Sequence, residues 1–132
     1  ENKCAFGAYE VKITSHESKV TIVASGSEVE LALDTQKLLK ENNIDSKVVS
    51  MPCQELFDAQ PDDYKEKILE KSSIIISIEA GSTISWKKYV GSKGIALGLD
   101  AFGESAPYKE IFNHFDLTTD KIVSLIQKKL RE

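Results

Sequence analysis

The sequence predicts an α/β protein: a three-layer α/β/α arrangement on a five-stranded, mostly parallel sheet whose first strand runs antiparallel. Three observations predict it. Short apolar runs recur at 20–24, 47–51, 73–78 and 94–99 with little polar alternation, as strands covered on both faces read. Stretches with apolar residues at helical spacing separate them, an alternation that places parallel strands side by side with helices on both faces. The first strand candidate, by contrast, is followed only by the polar connection Thr14 to Lys19, too short for a crossover, so antiparallel pairing near a sheet edge is expected.

That first candidate is Gly7 to Ile13, in which Tyr9, Val11 and Ile13 share one side. Val20 to Leu33 (VTIVASGSEVELAL) follows as a strand, a glycine-serine turn and the opening of a helix expected to run from Ser27 to Asn42. Ser27 with Glu30 three residues on has the spacing of a capping box, in which serine oxygen and carboxylate each accept from the other residue's backbone N–H. Val29, Leu31, Ala32, Leu33, Leu38 and Leu39 give this helix a wide apolar face. Lys47 to Met51 reads as a parallel strand closed by Pro52, and Ser50 to Asp58 as a turn and short helix. Pro61 restarts a helix at its first position, with Asp62 and Asp63 in the first turn where the dipole favours anions, and the helix reaches about Glu70. Ser73 to Ile78 is the most strongly β-forming run and is expected at the sheet centre. Ser82 or Thr83 then caps a helix that carries Trp86 and Tyr89 and stops near Gly91. Gly94 to Leu99 reads as a short last strand whose glycines signal close packing. Tyr108 to Phe115 is expected as a helix, and Thr118 or Thr119 as the cap of a final one reaching Leu130, with Ile122, Leu125, Ile126 and Leu130 on one face. Right-handed crossovers are expected throughout.

A chain of 132 residues without linker, repeat or low-complexity tract is expected to form one domain. It opens at Glu1 without an initiator methionine and enters strand structure almost at once, the look of an excised domain. A net charge of −4 and unclustered lysines argue against nucleic acid as the main partner. No run approaches the roughly 20 apolar residues of a membrane span, and the first residues lack a signal-peptide pattern. Cys4 and Cys53, far apart and without secretory signs, are expected as reduced thiols, which points to the cytoplasm. With His16 and His114 they show no zinc-ligand spacing, so no metal is expected.

Ligands of open α/β sheets bind beyond the carboxyl ends of the strands. Two junctions lie on that edge, ASGSE and EAGST, making Gly26, Ser27, Gly81 and Ser82 the candidates for an anion cradle at helix N-termini. Neither junction follows G-x-G-x-x-G or a P-loop, every tight strand-to-helix turn needs glycine and a cap, and Glu28 and Glu79 would repel a phosphate. A regulatory module binding an anion or nucleotide at these turns is the alternative function. Cys53, without a histidine near it in sequence, and Glu79, which can equally accept backbone N–H bonds in its own turn, are the remaining chemical candidates, and Ser25, Ser27 and Ser82 lack an identifiable base. No catalytic residue is assigned. Aromatics crowd the second half, and an exposed share of Trp86, Tyr89, Phe102 and Tyr108 would form an interface, with wholly internal packing left open.

At VTIVASGSEVELA, SMPC-x-E-LFD-x-Q, EAGST-x-x-W-x-x-YVG, FG-x-SAP and the closing helix, the chain resembles the C-terminal domain of transketolase, in order, from about Ala8 to Leu130. The resemblance implies a parent enzyme that moves a two-carbon ketol unit between sugar phosphates in the pentose phosphate pathway. It further implies thiamine diphosphate and Mg²⁺ held by other domains, and as partners those upstream domains and a second subunit of a homodimer. The Gly-Asp-Gly cofactor motif and the histidine-rich sugar-phosphate site of the family are absent from this sequence, so the resemblance carries no catalytic or cofactor residue onto it. The implied role is structural and interfacial, and the segment alone is expected to be inactive.

Overall fold

A computed structural model of the chain describes residues 6–11, 18–70, 73–79, 84–98 and 118–132. Its sheet has the strand order β1-β3-β2-β4-β5, with β1 at Tyr9–Glu10, β2 at Val20–Ala24, β3 at Ser46–Ser50, β4 at Ile74–Ile78 and β5 at Ile95–Leu97. Strand β1 pairs antiparallel with β3, Tyr9 opposite Ser50, and every other pairing is parallel. The antiparallel first strand at the edge is as the short connection after it predicts, although only two residues long. The centre is β2, not β4. Both runs are covered on both faces, so β-propensity alone does not rank them; β5 outside β4 moves the centre one strand over.

Five helices complete the described residues: α1 (Glu28–Glu41), α2 (Gln54–Asp58), α3 (Asp62–Leu69), α4 (Lys87–Val90, preceded by a 3₁₀ turn at Ile84–Trp86) and α5 (Thr119–Leu130). The expected helix over Tyr108 to Phe115 lies outside the described residues. None of the described helices is long and apolar enough to cross a membrane.

Alternation along the strands divides the core in two. On one face Val20, Ile22, Val48, Ile76, Ile78 and Leu97 meet Ala32 and Leu39 of α1 and Ile122, Val123 and Ile126 of α5. On the other, Val23, Val49 and Ile75 meet Phe57 of α2, Ile68 and Leu69 of α3, and Trp86, Tyr89 and Val90 around α4. In α5 it is Val123 that turns inward while Leu125 is exposed, a correction to the expected stripe. Ile122, Val123 and Ile126 are neighbours at the 3- and 4-residue helical spacing, and Leu125 falls to the side of that arc.

Two glycines are fixed by the backbone around them. Gly7 has φ +86°, and a Cβ there would run into the backbone of Cys53 and Phe57, where the chain crosses the entry to α2. At Gly94 a Cβ would meet the carbonyls of Ile75 and Val90, the close packing that glycine in this strand signals.

Candidate functional site

The carboxyl edge of the sheet is where a ligand is expected. There β2 ends at Ala24 and the chain turns through Ser25, Gly26 (φ +57°) and Ser27 into α1. The capping box does not form. Ser27 has φ −68° and ψ −18°, itself helical, whereas a side chain reaches back over the first turn only from an extended N-cap. Its hydroxyl instead donates to the adjacent Glu28 carboxylate at 3.0 Å. The first two amides of α1 are occupied from within: Glu28 N–H donates to the Ser25 carbonyl at 3.2 Å and Val29 N–H to that of Gly26 at 3.3 Å. Ser25 Oγ donates to Glu79 Oε1 at 3.2 Å, tying the ends of β2 and β4 and placing a carboxylate beside the turn. Gly81 and Ser82 lie outside the described residues.

Of the aromatic candidates, Trp86 and Tyr89 are 3% and 7% exposed and lie inside the second core. Tyr89 stacks edge-on with Phe57 at 5.9 Å and with Trp86 at 6.0 Å between ring centroids. Phe102 and Tyr108 lie outside the described residues. Cys53 is a half-buried free thiol whose amide donates to the Gly7 carbonyl at 3.1 Å. Among the described residues no group of His, Cys, Asp and Glu is arranged to hold a metal ion.

The structure brings together a cluster without sequence signal. Asp58, last residue of α2, accepts from Lys88 Nζ at 2.6 Å and from Tyr89 OH at 2.8 Å, and Lys65 Nζ donates to its carbonyl at 3.2 Å. Burial pushes the Asp58 carboxyl up, but the bonds from Lys88 and Tyr89 and the charges of Lys88 and Lys65 outweigh it and hold the group below its ordinary value. Tyr89 moves the other way, because burial and the adjacent Asp58 carboxylate both disfavour phenolate. These groups line an open cleft of about 350 Å³ between α2, α3 and α4, with Phe57, Leu69 and Tyr89 as its apolar wall. Asp58 and Lys88 pair across helices separated in sequence, and Lys65 Nζ lies 3.5 Å from Asp62 Oδ1 within α3. Chemically the arrangement fixes α4 against α2; no nucleophile stands beside a base in it.

Comparison with known proteins gives the family of the chain. The family of the Transketolase-like TK C-terminal domain matches residues 7–118. A transketolase of Aquifex aeolicus is 37% identical over 124 residues, 93% of this chain and 18% of that protein. A chloroplastic transketolase of Solanum tuberosum is 42% identical over 123 residues, 91% of this chain and 17% of that protein. Among solved structures, a transketolase of Pichia stipitis in complex with sedoheptulose-7-phosphate superposes with TM-score 0.80 at 36% identity, over 98% of this chain and 18% of that one. One from Leishmania mexicana gives TM-score 0.78 at 38% identity, over 96% of this chain and 18% of that one. The chain therefore spans about a fifth of the length of the relatives it matches. It belongs to the family of transketolase C-terminal domains.

Proposed function

We propose that this chain is the C-terminal part of a transketolase and serves assembly, not the chemical step. The parent enzyme transfers a two-carbon ketol unit from a ketose phosphate to an aldose phosphate in the pentose phosphate pathway. Its thiamine diphosphate and Mg²⁺ are held by domains outside this segment, and its partners are those domains and a second subunit. The observation that carries the reading is the family match along nearly the whole chain, set against the small share of each relative that it covers.

The described residues do not fit a diphosphate. The first amides of α1 are taken by turn carbonyls, and Glu28 and Glu79 set carboxylates beside the one described turn where a phosphate would sit. No step of the reaction is routed through them. A solved split-gene transketolase, an inactive β4 tetramer, matches 96% of this chain and 43% of its own at 25% identity and TM-score 0.65, which supports both self-association and inactivity in isolation. In an interface on this side of the molecule, Trp86 and Tyr89 act as buried backing. A cytoplasmic setting fits the free Cys53, while the potato relative's name shows that the family also works in chloroplasts.

Calorimetric titration of the purified chain with thiamine diphosphate and Mg²⁺ tests the division of labour. No saturable heat is expected. Saturable binding would overturn it.

A further inference from the structure

At the amino edge of the sheet, opposite the candidate turns, lies Lys47, the only charged residue among the described ones that is buried, its side chain 6% exposed. An ammonium placed there loses its water and must be satisfied by protein groups. Lys47 Nζ donates to the Lys67 carbonyl in the last turn of α3 at 2.6 Å and lies 3.7 Å from Glu70 Oε1. The other carboxylate oxygen of Glu70 accepts the amide of Ser18, just before β2, at 2.7 Å. The Glu70 carbonyl accepts Ser73 Oγ at 2.6 Å, and Ser73 Oγ in turn shares a 2.7 Å hydrogen bond with Thr21 Oγ1, the register neighbour of Lys47. Glu70 manages both tasks because it sits at φ 50°, a left-handed conformation that a non-glycine residue keeps only where its surroundings hold it.

We infer that Lys47 and Glu70 form a buried ionic latch, through which the entries to β2 and β4, strand β3 and the end of α3 open and close as one unit. The inference stands on this bond circuit and is independent of the parent enzyme's activity. Each member contacts segments far away in the chain, so release of the ammonium leaves the half-buried Glu70 carboxylate without its counter-charge and the Ser18 amide held by a weakened acceptor. Total stability is a poor readout, because apolar replacement of a buried ion pair can be neutral. Local opening is the direct one.

Amide hydrogen exchange of the whole chain, read residue by residue in Lys47→Met, Glu70→Gln and the double variant, tests the latch. The expected result is acceleration at Ser18 and Ser73 together, roughly tenfold or more in either single variant, with little further change in the double and none at Val23 or Ile76. Glu70→Gln keeps the side-chain size, so it answers the question even if Lys47→Met does not fold. Unchanged exchange at Ser18 and Ser73, additive effects in the double variant, or uniform acceleration across the sheet would each overturn the latch.

Discussion

On the face under α1 and α5, Ala32, Leu39, Ile122 and Ile126 meet Val20, Ile22, Val48 and Ile76, with no charged side chain buried there among the described residues. On the face under α2, α3 and α4, the strands place Lys47, Thr21 and Ser77 among Val23, Val49 and Ile75, and the helices are tied by Asp58, Lys88, Tyr89 and Glu70. The first face is held mainly by area and shape, which many apolar combinations can supply, with the bond from Gln36 Nε2 to the Ser46 carbonyl at 3.0 Å tying α1 to β3. The second combines an aromatic cluster with charge-assisted bonds that accept one arrangement only, because a half-made polar network costs more than none. Two short helices and one of eight residues cover that second face, too short to be stable by themselves. Their positions come from what they are bonded to.

Truncating the apolar anchors is the hardest blow to either face. Phe57→Ala should cost about 3–5 kcal/mol and Ile122→Ala about 2–5 kcal/mol in urea unfolding, since both side chains are fully buried. Similar losses would place the difference between the faces in their polar bonds and not in packing. Gly7→Ala strikes the second face through the backbone: the positive φ and the collision with Cys53 and Phe57 together should cost at least ~2 kcal/mol, seen as a lowered urea midpoint.

Acid separates the faces next. Because the Asp58 carboxyl is lowered on folding, its contribution is complete above its ordinary value of 3.8 and is lost as pH falls through the lower, folded value. Tyr89, raised on folding, contributes fully below its ordinary value of 10.0, and that contribution is lost as pH rises beyond it. Asp58→Asn should cost less than about 1 kcal/mol at neutral pH, because the pair with Lys88 is partly exposed, and show as a slightly lowered Tm. The gap from the parent chain should close below pH 3.8. A gap that stays constant with pH would mean that shape, not charge, makes Asp58 matter.

A last contrast, ending in the smallest effect, distinguishes two helix starts on the apolar face. Thr118, extended at φ −102° and ψ 159°, accepts the Lys121 amide at 3.2 Å, so Thr118→Ala should cost about 1 kcal/mol. Ser27→Ala, which removes no cap bond, should stay within ~0.5 kcal/mol. Thermal melts of the two variants side by side would show the contrast.

Those two caps also show what a sequence discloses. Ser27-x-x-Glu30 and the threonines at 118 and 119 present comparable local patterns, yet only Thr118 has the extended backbone that lets the pattern act. The antiparallel first strand at a sheet edge and the helix over 28–41 were legible because hydrophobic spacing and connection length are local properties. The identity of the central strand was not, since it depends on where β5 attaches. Asp58 and Tyr89 are 31 positions apart, and Ser18 and Glu70 are 52 apart. No spacing rule reaches across such separations, so the bonds that fix the second face leave no local pattern. Motif resemblance, by contrast, carried the family directly, because strings such as EAGST-x-x-W-x-x-YVG record the fold and its polar contacts together.

The division between an assembling segment and a catalytic remainder is tested most directly by a ketol-transfer assay on the purified chain. Thiamine diphosphate, Mg²⁺, a ketose phosphate donor and an aldose phosphate acceptor are supplied at saturating levels, and product is followed over many equivalents of protein. No product above the protein-free background is expected. Sustained turnover by this chain alone would contradict it.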